Sequence, residues 1–177
     1  MKKYILLLTA VCFIGSVFAQ SLVVKKDTGS INGAAYIILF PANWKGKLVM
    51  YAHGYEFMGT MPRQSKNPQF TESMNPFLAR GFAVAASDYS IQGFALPQGV
   101  QETEELRQYF VNTYGKPDTA FIAGHSMGGG VTVATIENFG ANYNGGLPFC
   151  PLSSRPYLQC RKEFDIYATF NVLFPGI

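Results

Sequence analysis

The sequence predicts an α/β protein built on a doubly wound, mostly parallel sheet. Short apolar runs at residues 34–40, 47–52, 82–86 and 120–123 alternate with helix-compatible stretches. The last of these runs enters Gly124-His125-Ser126-Met127-Gly128, and residues 131–136 then read as the start of a helix, giving strand, sharp turn and helix. No internal repeat or low-complexity linker interrupts the order, and the 177 residues suffice for one modest domain. The sheet is expected to be incomplete at its C-terminal end.

Residues 1–19 read as a secretory signal peptide. Lys2 and Lys3 precede an almost wholly apolar stretch, and Val17-Phe18-Ala19 offers a small-residue cleavage site before Gln20. The stretch is too short and wrongly flanked for a membrane span, and acylation at Cys12 is disfavoured because Val11 precedes it. Residues 20–177 then form the folded domain, with no membrane span left after removal of the signal. The expected location is secreted or periplasmic.

Apolar residues make up 48% of the chain, enough for a core, and the net charge is only +3 without a basic cluster, which argues against nucleic acid as a partner. No metal-ligand cluster or nucleotide-binding loop is visible, so no cofactor is expected. Cys150 and Cys160 remain in the mature chain. On compartment alone a disulfide between them is favoured, worth about 2–3 kcal/mol, and two buried thiols are the alternative.

Along the chain, residues 34–40 form a strand stopped by Pro41, and Asn43, Lys45 and Gly46 a turn. Residues 47–52 are the next strand, ending in His53-Gly54-Tyr55. Residues 74–80 suit a short helix closed by Gly81, and 82–86 a buried strand running into Ser87-Asp88-Tyr89. Residues 101–114 form a helix with Leu106, Tyr109, Phe110 and Thr113 on its apolar face and Glu102, Glu104 and Glu105 in its first turn. After the helix that follows Gly128, residues 145–150 suit a short strand. Residues 164–174 carry Ile166, Phe170 and Leu173 at helical spacing and stop at Pro175-Gly176.

The pattern Gly-x-Ser-x-Gly between a strand and a helix is a nucleophile elbow. Its glycines let strand and helix approach closely, and its turn holds the Ser126 hydroxyl out beyond the sheet. In acyl transfer Ser126 would attack a carbonyl carbon, and the backbone N–H of Met127, at the helix start, suits one of the two oxyanion donors. The side chain of His125 is expected to pack beside the elbow, pointing away from the serine, and that of His53 to hydrogen-bond its own loop.

With these motifs in hand, the chain resembles the α/β-hydrolase superfamily, and most of all secreted bacterial serine hydrolases related to feruloyl esterases and prolyl-oligopeptidase-type enzymes. The residues that carry the resemblance are Asn43-Trp44-Lys45-Gly46-Lys47-Leu48 leading into Tyr51-Ala52-His53-Gly54-Tyr55, then Ser87-Asp88-Tyr89 and Gly124-His125-Ser126-Met127-Gly128-Gly129. Leu147-Pro148-Phe149-Cys150, Phe164-Asp165 and Leu173-Phe174-Pro175-Gly176 also fit. The resemblance implies a carboxylic-ester hydrolase acting on a small-molecule ester through an acyl-enzyme. It also implies that the second oxyanion donor is the N–H of Tyr55.

The superfamily order is Ser, then Asp or Glu, then His. Glu137, Glu163 and Asp165 follow Ser126, but no histidine does. The acid and the histidine are therefore expected beyond Ile177, with Asp165 and Asp88 in structural roles. Two other readings stay open: an inactive truncated hydrolase or binding module, and a serine peptidase of the prolyl-oligopeptidase type. Whether the chain is an enzyme in its own right is left undecided, as is its oligomeric state, although an exposed apolar face at 164–174 and an open sheet edge would favour association. Tyr55, Phe57, Met58, Tyr89, Phe94 and Leu96 are expected around Ser126, where an aromatic lining would suit an aryl or acyl ester. Arg63 and Lys66 are expected in a solvated loop.

Overall fold

The computed structural model of the chain describes residues 22–59 and 68–176. The signal-peptide residues, with Cys12, and the loop residues Arg63 and Lys66 lie outside the described residues. Six strands form one sheet: β1 (Val23–Ile31), β2 (Ala34–Pro41), β3 (Lys47–Ala52), β4 (Phe82–Ser87), β5 (Thr119–His125) and β6 (Gly145–Phe149). Their spatial order is β1-β2-β4-β3-β5-β6. β4, β3, β5 and β6 run parallel, while β1 with β2 and β2 with β4 are antiparallel. The helices are α1 (Pro68–Leu78), α2 (Leu96–Tyr114), α3 (Met127–Phe139) and α4 (Pro156–Leu173), with a short 3-10 turn at Gly140–Asn142.

Alternation in β2 shows how the core divides. Tyr36, Ile38 and Phe40 join Leu48, Met50, Ala83, Ala85 and Ile122 on one face, against Leu106 and Phe110 of α2. Ile37 and Leu39 point the other way, to Val49, Val84 and Ala86, where Met74 and Leu78 of α1 cover them. Burying a side chain such as Phe110, which is fully enclosed, contributes about 1.5–3 kcal/mol. Phe121, Phe82 and Leu147 line an open apolar groove beside Phe77 on the α1 face, about 460 Å³ in volume.

Strand β1 is an addition to the sequence reading. It is an edge strand with largely exposed residues, and its polar run Lys25-Lys26-Asp27-Thr28 hides it from an apolar-pattern reading. The Asn32-Gly33 pair was the available signal: both residues have positive φ, 50° and 91°, and close the β1–β2 hairpin. Asp27 pins the strand to α2, accepting hydrogen bonds from the hydroxyls of Tyr36 (3.3 Å), Tyr109 (3.2 Å) and Tyr114 (2.6 Å).

Helix boundaries differ from the sequence reading. α2 starts at Leu96 with Pro97 in its first turn, where a missing N–H costs nothing, so Glu102, Glu104 and Glu105 sit beyond that turn. Glu104 instead pairs with Arg107, and Glu102 accepts the Ser90 backbone N–H at 2.9 Å. Thr113 is exposed, and the buried face of α2 is Gly99, Thr103, Leu106, Arg107 and Phe110. α4 starts at Pro156 rather than 164 and packs extensively against no other element, leaving Ile166, Phe170 and Leu173 exposed.

The expected Cys150–Cys160 disulfide is not formed. Both thiols are free and exposed, so the alternative of two buried thiols is not realised either. Cys150 occupies the turn after β6 with φ 43°, between residues tied to the elbow, while Cys160 rides on α4. Among the described residues no helix is long and apolar enough to cross a membrane, and no group of three His, Cys, Asp or Glu side chains is arranged to hold a metal ion.

Candidate active site

The carboxyl ends of β3, β4 and β5 bring their loops together around Ser126. Its backbone has φ 56° and ψ −123°, a conformation that L residues rarely adopt and that costs about 1–3 kcal/mol. The tight turn is possible because of its glycines. A Cβ on Gly124 would lie 2.3 Å from the Gly128 carbonyl oxygen, and one on Gly128 only 2.1 Å from the Ala52 carbonyl oxygen. No larger residue leaves room for strand, turn and helix to meet in this way.

Hydrogen bonds hold the strained residue from two directions. The Ser126 carbonyl accepts the N–H groups of Gly129 (3.0 Å) and Gly130 (3.3 Å), which is the first turn of α3 closing on itself. The segment after β5's neighbour supplies the rest. Ser126 N–H donates to the Phe149 carbonyl at 3.0 Å, and Leu152 N–H donates to the Ser126 carbonyl at 3.0 Å. Residues 149–152 thus clasp both polar groups of the Ser126 peptide backbone. This contact is not visible in the sequence, because it forms only once β6 has paired with β5 and brought residues 149–152 against the turn.

Met127 is buried and is the first residue of α3, so its N–H belongs to the donors that a helix start leaves without an intrahelical partner. Gly54 lies close to Ser126: a Cβ there would stand 3.5 Å from Ser126 Cβ and 3.3 Å from His125 Nε2. Tyr55 follows it, half-buried beside Met127, Val131 and Leu96. Both sequence-predicted donors therefore belong to residues that flank the elbow.

Neither histidine pairs with the serine. His53 is buried, its Nδ1 lies 2.8 Å from the Gly54 carbonyl, to which it donates, and its ring stacks on Tyr89 at 4.0 Å between centroids. This is the loop-holding role expected of it. The expected packing of His125 beside the elbow is not found: the residue is exposed, and its Nδ1 shares a 3.2 Å hydrogen bond with the Tyr51 hydroxyl. Asp88 is buried and its N–H donates to the Ala35 carbonyl at 2.8 Å, tying the β4 loop to β2. Asp165 is exposed on α4.

The residues expected around the serine divide into two groups. Tyr89, held at φ 52°, and Leu96 pack with Ala52, Ala95, Met127 and Val131 beneath the elbow. Phe57, Met58 and Phe94 remain exposed on the loops above.

Solved structures were compared with this arrangement of sheet and elbow. The chain is similar to a thermostable carboxyl esterase from Bacillus coagulans, solved in complex with glycerol, with a TM-score of 0.56 and 17% identity over 86% of this chain and 51% of that one. An esterase from Pyrococcus furiosus gives a TM-score of 0.59 at 18% identity, over 77% of this chain and 55% of the other. Brefeldin A esterase, a bacterial homologue of human hormone sensitive lipase, gives 0.56 at 17%, over 77% and 44%.

The fold is that of the α/β hydrolases.

The chain spans about half the length of the solved structures it matches. No protein-family model matches the sequence, and no curated protein is similar to it in sequence. At these identities the likeness establishes the α/β-hydrolase architecture, which the strand order and the parallel β3-β5-β6 pairing of this chain share.

Proposed function

We propose that the chain is the N-terminal part of an exported serine hydrolase acting on carboxylic esters. The observation that carries this reading is the strained, glycine-framed Ser126 at the end of β5, with Gly54 against it. Ser126 Oγ attacks the ester carbonyl carbon, its proton passes to a base, and the alcohol leaves to give an acyl-enzyme that water then hydrolyses. The Met127 and Tyr55 N–H groups stabilise the oxyanion, each donor being worth about 3–4 kcal/mol. The acid and the histidine base come from chain beyond Ile177, and residues 1–19 direct export.

A second reading is a binding module that keeps the elbow without catalysis. Its support is that His53 and His125 are both committed to other partners. Labelling by a fluorophosphonate separates the two. If the 177-residue chain joined to its downstream coding sequence labels at Ser126 and hydrolyses esters, the hydrolase reading holds. If the extended protein neither labels nor turns over esters, the binding-module reading replaces it. Export is checked separately by sequencing the N-terminus of the mature protein, which should begin at Gln20.

A further inference from the structure

We infer that the paired loops 55–59 and 91–95 form a platform that receives a flat, uncharged ring of the substrate whose carbonyl meets Ser126. This rests on Ser126 being the nucleophile. Phe57 and Met58 are 73% and 78% exposed, and Ile91 and Phe94 on the facing loop are 47% and 40% exposed. Four large apolar side chains thus stand in solvent on two adjoining loops. Single exposed apolar residues are ordinary, but a cluster of them beside a reactive group is a mark of ligand contact.

The platform is joined to the elbow at two points. A Cβ on Gly54 would stand 3.5 Å from Ser126 Cβ, and the next residue, Tyr55, carries Phe57 edge-on at 5.4 Å and Phe94 at 5.0 Å between ring centroids. On the other side Leu96, two residues after Phe94, reaches α3, where its Cδ1 would lie 3.0 Å from a Cβ on Gly130. Of the three rings, Tyr55 packs against the apolar cluster that holds Met127, and Phe57 and Phe94 lean on Tyr55.

It is also braced. Gly93 N–H donates to the Glu56 carbonyl at 2.9 Å in an isolated antiparallel bridge, and Gly59 N–H donates to Gln92 Oε1 at 3.0 Å. Gly93 sits at φ 86°, where a side chain would be strained, and a Cβ there would lie in van der Waals contact with Met58 Cγ at 3.4 Å. Ring surfaces fixed in advance lose little conformational freedom when a ligand arrives. Phenyl faces and a thioether favour an aromatic guest through offset or edge contacts. None of the four side chains donates a hydrogen bond or carries a positive charge, so an anionic ring would lose its hydration without replacement and is disfavoured.

The test uses carbon-13 methyl-labelled methionine in the intact chain, with the Met58 signal assigned from Met58→Leu. The probes are acetanilide, an unreactive amide counterpart of a phenyl ester, and N-methylacetamide, its ringless control. Acetanilide should shift the Met58 methyl signal upfield while the control leaves it in place, and Phe57→Ala with Phe94→Ala should weaken that response about tenfold. Equal responses to both probes, or none, overturn the proposal. Phe57 is mostly in solvent, so its removal leaves the core intact, and circular dichroism of the variants checks this. In the extended protein, an aryl fluorophosphonate should label Ser126 faster than a methyl one, with the preference lost in the double variant. Labelling by both probes at an unchanged ratio would remove the platform and keep the hydrolase. A Met58 shift without any labelling of Ser126 would keep the platform as a ring-binding surface and remove the nucleophile.

Discussion

Gly128 and Ala52 approach so closely that a single added carbon on Gly128 would lie 2.1 Å from the Ala52 carbonyl oxygen and 2.5 Å from that of His53. Both obstructing atoms are backbone, so no side-chain rotation relieves the clash. Gly128→Ala should therefore destabilise the fold by about 3 kcal/mol or more, read as a lower urea midpoint. Gly33→Ala is the contrast. Its added carbon meets nothing within 4 Å, and only the positive φ of 91° opposes it, for about 1 kcal/mol.

Ser126 stores strain that a glycine would not. Ser126→Gly should raise stability by about 1 kcal/mol, the relief of the φ 56° backbone outweighing the added freedom of the unfolded chain. The same change abolishes fluorophosphonate labelling in the extended protein. An unchanged or lower denaturation midpoint would mean that the clasp of residues 149–152, and not backbone strain, dominates at this position.

Much of the elbow was legible because its requirements are local. Gly124, Ser126 and Gly128 declare a sterically crowded turn within five residues, and the apolar strands β2 to β5 declare themselves by composition. What sequence did not reveal depends on partners far along the chain. β1 is polar because it lies at an edge, and only Asn32-Gly33 marked it. α2 begins at Leu96 and not at residue 101, because Pro97 sits in its first turn, where the missing N–H costs no hydrogen bond. The disulfide was inferred from compartment, which says what is permitted and not which residues the fold brings together.

Alkaline conditions should expose the Asp27 cluster. Tyr36 and Tyr114 are pushed well above the ordinary tyrosine value of 10.0, first by burial and then by their hydrogen bonds around Asp27, Tyr36 also bonding to Tyr109. Tyr143 is raised by burial and by Glu104. A folded value above the unfolded one means that the unfolded chain loses its protons first as pH rises. The stabilisation is thus complete below about pH 10 and drains away above it. Phenolate absorbance should show these three tyrosines titrating only as the fold gives way. Asp27→Ala should cost about 1–2 kcal/mol and release β1, measured by denaturation and by amide exchange in that strand.

α4 should be the first element lost to proteolysis. It carries Arg161 and Lys162 in exposed positions and packs extensively on nothing, whereas Arg107 is buried in α2 and paired with Glu104. Brief trypsin treatment should cut at Arg161 or Lys162 and spare Arg107, as mass spectrometry of the fragments would show. Early cleavage within α2 would contradict this ordering.

Cys150 and Cys160 should both be alkylated in the native protein without a reductant, because both are exposed free thiols. Peptide mapping after treatment with iodoacetamide would find both modified. A shielded pair that reacts only after reduction would restore the bridge that the structure lacks.

The clasp on Ser126 also makes the turn answer to a segment more than twenty residues downstream. The Phe149 carbonyl and the Leu152 N–H secure the Ser126 backbone. Without them the turn has only its own helix to hold it, and nothing outside that helix opposes relaxation of the strained peptide. A chain cut back before Phe149 therefore carries the turn's sequence without the bonds that fix its geometry, so residues 149–152 govern the shape of Ser126 as surely as its own glycines do.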